Sequence, residues 1–199
     1  MRILLFGANG QVGWELRDCL APYGELLALT RHGLNGYVGD LSDLKGIAET
    51  IRKFNPDLVF NAAAYTAVDR AEDESDLALR INAEAPTQIA QTCKGCDALL
   101  VHYSTDYVYS GIGTEPWIET DDLAPLNTYG RSKALGEMGI LNSGCRHLIF
   151  RTSWVYGLHG NNFVKTMLQL AKNHKSLNVV SDQFGRQHRR VLLHNCPWL

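Results

Sequence analysis

No stretch of this chain is long and apolar enough to cross a bilayer. Its longest apolar runs, such as Leu58 to Ala64, have the length of a buried strand, whereas a membrane helix needs about 20 residues. The opening MRILLFGANG reaches its glycines after only a handful of apolar residues, too few for a signal peptide. An excess of one charge is also missing. Nineteen Lys and Arg against 21 Asp and Glu leave a net charge of −2, so neither nucleic acid nor an anionic membrane is expected as the main partner. Cysteines are few and scattered: Cys19, Cys93, Cys96, Cys145 and Cys196. Cys93 and Cys96 form a CxxC, but no second pair stands at zinc-ligand spacing, so no metal site is expected and the thiols read as incidental. Free thiols suit the reducing cytoplasm, which is the expected location. There is no internal repeat and no low-complexity linker. What remains is 199 residues, 45% hydrophobic and 20% charged, the balance of an ordinary soluble globule with one well-buried domain or a domain with a small appendage.

Short aliphatic runs alternate with longer amphipathic ones. Strands are expected at Arg2–Phe6, Glu25–Thr30, Leu58–Asn61, Leu99–Ser104, His147–Thr152 and Leu177–Val180. Helices are expected at Gln11–Leu20, Asp43–Phe54, Thr128–Leu141 and Asn162–Asn173, with a long helical region from Ala67 to Lys94 broken near Glu74-Ser75. The strands are continuously apolar rather than alternating, as in a parallel sheet covered on both faces. The fold class is therefore α/β: a doubly wound parallel sheet of Rossmann type. Residues 1–175 read as the NAD(P)-binding domain and 176–199 as the start of a substrate-binding region with an atypical tail.

Gly7, Gly10 and Gly13 form GxxGxxG between the first strand and the first helix. A tight turn there lets backbone N–H groups approach a pyrophosphate at a helix N-terminus, which a Cβ would obstruct. In that context the triplet predicts a dinucleotide site. The second strand ends Leu29-Thr30-Arg31-His32 with no carboxylate for a ribose 2′-OH. Arg31 is expected to pair with a 2′-phosphate, which favours NADPH, with NADH as the alternative. Asp40 and Leu41 are placed to border the adenine, and Ala62, Ala63 and Ala64 offer small residues where a cofactor lies against backbone.

The fourth strand ends Ser104-Thr105, and a helix then opens with Tyr129-Gly-Arg-Ser-Lys133. Positions i and i+4 share a helix face. An ammonium beside a phenol lowers its pKa and lets the tyrosine move protons near neutral pH. Thr105 could hold a substrate carbonyl oxygen beside Tyr129. A bare YxxxK is weak, since chance gives about 0.3 such pairs in a chain of this make-up. Its place after the glycine loop and the Ser-Thr strand end makes it a catalytic set.

The segments GANGQVG, NAAAYTAVDRAE, HYSTDYVY, PLNTYGRSK and FRTSWVYG, in this order, resemble the dTDP-4-dehydrorhamnose reductases, members of the extended short-chain dehydrogenase/reductases. The resemblance runs from Met1 to about Gly185. It implies NADPH-dependent reduction of dTDP-4-dehydro-L-rhamnose at C4, the last step of dTDP-L-rhamnose synthesis, which feeds lipopolysaccharide O-antigen. It implies catalysis by Thr105, Tyr129 and Lys133, and cofactor contacts from Gly10, Gln11, Val12, Asp40, Leu41, Ala62, Ala63, Ala64 and Tyr65. It places Ser104, Thr105, Tyr129 and Trp154 near the sugar nucleotide, where an indole suits stacking against a deoxysugar. Homodimers and an interfacial Mg2+ occur in some relatives of this kind.

After Asp182–Gly185 the chain reads Arg-Gln-His-Arg-Arg and the resemblance stops. The expectation is a truncated or frameshifted C-terminus, lacking the acidic residues that would hold Mg2+ and leaving an incomplete sugar-nucleotide cleft that binds NADPH yet turns over little substrate. Arg186, Arg189 and Arg190 lack the aromatic interleaving of a nucleic-acid patch. Two alternatives fit the same motifs: another nucleotide-sugar epimerase or dehydratase of the extended family, and a non-catalytic NADP-binding regulatory protein.

Overall fold

The computed structural model describes residues 1–179. Five strands form one parallel sheet: β1 (Arg2–Phe6), β2 (Glu25–Leu29), β3 (Leu58–Asn61), β4 (Leu99–Thr105) and β5 (His147–Thr152), in the order β2-β1-β3-β4-β5. The chain reverses direction across the sheet between β1 and β3, and a doubly wound sheet opens its ligand crevice at such a reversal, at the carboxyl ends of the strands. The register brings those ends level. Phe6 pairs with Leu29 on one side and with Asn61 on the other, Asn61 with His102, and Thr105 with Thr152.

Alternate residues of β1 explain its unbroken apolar sequence. Leu4 and Phe6 pack with Ile47 and Ile51 of α2 (Leu44–Phe54), Ile89 of α5 (Ala85–Gly95) and Ile140 of α6 (Thr128–Ser143). Ile3 and Leu5 pack on the opposite face with Leu16 and Leu20 of α1 (Gln11–Leu20). Both faces of the sheet are thus withdrawn from water. α7 (Phe163–Asn173) has no buried residue.

Several boundaries moved for local reasons. Asp43 stands outside α2 as its N-cap, its carboxylate accepting from Gly46 N–H. The region expected as one helix over Ala67–Lys94 breaks at Glu74-Ser75 as read, but it is four pieces: α3 (Arg70–Asp73), α4 (Ser75–Leu79), a π-helical turn at Arg80–Glu84, and α5. β2 ends at Leu29, one residue early, and β4 continues one further, to Thr105. The strand expected at Leu177–Val180 is not formed at residues 177–179. Val180, the Asp182–Gly185 segment, Arg186, Arg189, Arg190, Cys196 and nearly all of the 176–199 region lie outside the described residues. No helix among the described residues is long and apolar enough to cross a membrane.

Candidate active site

The glycine loop owes its shape to contacts that exclude side chains. Gly7 has φ +82°, and a Cβ there would come within 2.6 Å of Ala63 N. Gly7 therefore lets the loop after β1 lie against Ala62 and Ala63 at the end of β3. A Cβ on Gly13 would meet Gly7 O at 2.0 Å, so Gly13 lets α1 pack onto the loop. Gly10 is the N-cap of α1, with no side-chain cap and no acid in the first turn. The Val12 and Gly13 N–H groups in the first turn of α1 have no intrahelical acceptor, and the helix dipole favours an anion there. The fit to a dinucleotide pyrophosphate is good. Gly13→Ala is expected to push α1 off the loop and weaken NADPH binding at least tenfold, read by cofactor fluorescence titration. Unchanged affinity would show that the loop and helix are not coupled.

Around this crevice stand the other expected cofactor residues. Arg31 Nε donates to Asp40 Oδ2 at 3.0 Å. Burial alone would raise the Asp40 carboxyl, but hydrogen bonds from the Ser42 N–H and hydroxyl and from Arg31 outweigh it and hold the group below its usual value. Most of the Arg31 side chain remains in solvent. Leu41, expected with Asp40 to border the adenine, has its side chain in the core with Leu29 and Ile47. Gln11 is covered by the loop after β5, where Asn162 Nδ2 donates to Gln11 Oε1 at 3.2 Å and His159 stacks on Trp14. Ala64 leads into Tyr65, whose hydroxyl donates to Glu74 at 2.7 Å.

Tyr129 sits in the first turn of α6. That turn is fixed twice: Asn127 Oδ1 accepts from Gly130 N–H at 2.7 Å, and Glu72 accepts both the N–H and the hydroxyl of Thr128 at 2.8 and 2.7 Å. The Tyr129 ring meets Tyr107 edge to face at 5.7 Å. Burial pushes the Tyr129 phenol up to about 12, while its hydrogen bond with Thr105 works in the opposite direction. Thr105 also accepts from Tyr107 N–H and donates to Asp106. Beside it, the buried Ser104 Oγ has no hydrogen-bond partner, and a buried hydroxyl without a partner is uncommon enough to point to a ligand. Trp154 adopts φ +48°, a left-handed conformation that is strained for a tryptophan, with its ring edge to face with Phe163 at 5.2 Å.

The structure corrects one chemical expectation. The sequence reading has the Lys133 ammonium lowering the Tyr129 phenol. Instead, Lys133 is fully buried, donates to Tyr103 O at 2.7 Å and lies 3.3 Å from His102 Nε2. Burial, not a neighbouring cation, dominates at Tyr129.

Four supporting residues escaped the sequence reading. Asn82, in the π-helical turn, exchanges hydrogen bonds with the backbone of Tyr65 and donates to Ser132 Oγ, tying the loop after β3 to α6. His102 is buried in β4, and a polar residue inside the run LLVHYST was the available signal, because buried polar groups require partners. Glu137, fully buried, and Arg151, partly exposed, form an ion pair at 2.7 Å that ties α6 to β5. Among the described residues no group of three or more His, Cys, Asp or Glu side chains is arranged to hold a metal ion.

The family pattern described as RmlD substrate binding domain matches residues 1–189. The chain belongs to that family. Among its relatives, dTDP-4-dehydrorhamnose reductase of Salmonella typhimurium (strain LT2) is 53% identical over 196 residues, covering 98% of this chain and 65% of the relative. The dTDP-4-dehydrorhamnose reductase structure from Clostridium acetobutylicum ATCC 824 superposes with a TM-score of 0.91 at 38% identity, over 98% of this chain and 68% of that one. The RmlD-family structure from Bacillus anthracis str. Ames, in complex with NADP, gives 0.90 at 36% identity, over 97% and 67%. The chain spans about two-thirds of the length of these relatives, 65% for the Salmonella protein. These solved structures share the parallel α/β architecture described above.

Proposed function

We propose that this site reduces the 4-keto group of dTDP-4-dehydro-L-rhamnose with NADPH. The observation that carries the reading is the buried Ser104 hydroxyl, without a partner among the described residues, next to Thr105 at the end of β4, on the same edge of the sheet as the uncapped α1 N-terminus. The names of the relatives and the NADP complex support the substrate and cofactor. When bound, NADPH supplies the hydride. The N–H groups at Gln11, Val12 and Gly13 hold the pyrophosphate, Ala62, Ala63, Ala64 and Tyr65 border it, and Arg31 and Asp40 flank the adenosine end. Thr105 and Ser104 hold the keto oxygen beside Tyr129, which donates its proton to that oxygen. Trp154 flanks the sugar. Among the described residues Cys19, Cys93, Cys96 and Cys145 form no disulfide with one another, which fits the reducing cytoplasm, where we place the chain.

The test is an absorbance assay with NADPH and the keto sugar. A reductase consumes one NADPH per sugar, so the reduced-nicotinamide band falls stoichiometrically. An epimerase or dehydratase returns the hydride and leaves the band unchanged while the sugar is converted, and a regulatory binder converts nothing. Either of those results overturns the reading.

Cofactor choice is a separate prediction. Arg31→Ala removes a charge-assisted contact to a 2′-phosphate, which is absent from NADH. NADPH affinity is expected to fall about tenfold, with NADH affinity changed less than about twofold. Equal losses for both cofactors would remove Arg31 from 2′-phosphate recognition.

A further inference from the structure

Between β3 and α6 runs a buried polar row that the proposed reaction does not use. Asn61 Nδ2 lies 3.1 Å from His102 Nδ1, and His102 Nε2 lies 3.3 Å from Lys133 Nζ. His102 and Lys133 are both fully buried. The direction of these bonds follows from counting donors. Ala63 N–H donates to Asn61 Oδ1 at 3.3 Å, which turns the Asn61 amide nitrogen toward His102. That nitrogen only donates, so His102 Nδ1 accepts. A neutral imidazole then carries its single proton on Nε2, facing Nζ. Burial holds His102 well below its ordinary pKa, so the ring is neutral. An ammonium at Lys133 would set donor against donor. An amine has a lone pair for Nε2–H and still donates to Tyr103 O.

We propose that His102 is a positioning residue that holds Lys133 as the uncharged amine in the cofactor-free protein at mildly alkaline pH, and that Lys133 then takes up a solvent proton when a nicotinamide nucleotide binds. This rests on the reductase reading of the site. The hydroxyls of a nicotinamide ribose are acceptors and favour the ammonium over the amine. The proton passes from solvent to the Nζ lone pair: one N–H bond forms as the donor's O–H bond breaks, and the acid form of the buffer replaces the proton. The remaining titratable or charged neighbours are Tyr129 and Glu137 on α6 and Arg151 on β5. Glu137 favours the ammonium, but its carboxylate is engaged by Arg151, while Tyr129 is an uncharged phenol below about pH 12. Burial outweighs the pull of Glu137 and moves Lys133 down to about 8. Above about pH 8 Tyr129 then gains its charged neighbour only once cofactor is present, whereas at lower pH Lys133 is already charged.

The test is calorimetric titration of the 199-residue chain with NADPH at pH 8.5, in two buffers of different ionisation enthalpy. With Lys133 titrating near 8, the chain is expected to take up about 0.7 proton per cofactor. Lys133→Met and His102→Gln, whose side-chain carbonyl accepts from an ammonium, are expected to take up less than about 0.2. Lysine Cε/Nζ NMR of the unmutated chain supplies a readout that needs no variant to fold: Lys133 should titrate near 8 without NADPH and become charged with it. Cofactor heat with no proton uptake, or a Lys133 already charged at pH 8.5 in the free chain, overturns the inference. Absence of any cofactor heat overturns the reductase reading instead, and the NMR titration still decides whether His102 holds an amine.

Discussion

Tyr129→Phe is expected to slow keto-sugar-dependent NADPH oxidation about 10²- to 10⁴-fold while leaving NADPH affinity within about threefold. The change deletes one hydroxyl from the first turn of α6 and leaves the ring to pack edge to face on Tyr107. The turn is held independently by Asn127 and Glu72, so the backbone should not move. What is lost is the proton for the developing alkoxide, and general acid catalysis by a positioned group contributes on this scale. The phenol is a poor base here, raised to about 12 by burial, but a phenol kept protonated across the working pH range is suited to donation. Single-turnover absorbance decay, chain in excess over sugar, reads the rate. A variant within threefold of the parent would remove Tyr129 from the proton step.

The largest stability effect is expected at Arg151. Its guanidinium donates to the fully buried carboxylate of Glu137 through Nε and Nη2 and to Tyr109 Oη at 2.6 Å. The same group ties α6 to β5 and to the segment whose Trp117 stacks on Tyr109. Arg151→Met leaves a buried carboxylate without its partner, which costs about 3–5 kcal/mol, a large share of a domain's stability. Removing the charge as well, in the double variant Glu137→Leu with Arg151→Met, is expected to recover most of the loss, because an apolar pair of similar volume needs no desolvation. Urea denaturation measures both. A single variant that loses less than 1 kcal/mol would show that Glu137 finds another partner or water.

The sheet was legible because both its faces are covered. Continuous aliphatic runs such as ILLF and LVFN have no other economical placement than buried parallel strands, and the helix positions followed from their spacing. The glycine loop was legible because close backbone approach at Gly7 and Gly13 leaves no alternative residue. Long-range polar pairing was not. His102 and Lys133 are 31 residues apart, and Asn61 and His102 are 41 apart. Only the strand register that sets Asn61 against His102 and the docking of α6 bring them together. YxxxK spacing put Tyr129 and Lys133 on one helix face but could not say where the lysine would point. Nor did helical periodicity reveal the π-helical turn at Arg80–Glu84, since its extra residue is accommodated by the hydrogen bonds of Asn82 to Tyr65 and Ser132. Nor could the place of Leu41 after Asp40 show that its side chain completes the core.

The central claim is that the crevice between β1 and β3 is a nicotinamide-nucleotide site with Tyr129 at its reactive end. Fluorescence titration of NADPH into the chain, alongside Gly10→Glu, tests it most directly. The account predicts saturable one-to-one binding by the parent chain and at least a tenfold loss when a carboxylate is placed at the α1 N-cap, where it would cap the first turn of the helix and repel the pyrophosphate. No saturation by the parent, or equal affinity in the variant, would contradict it.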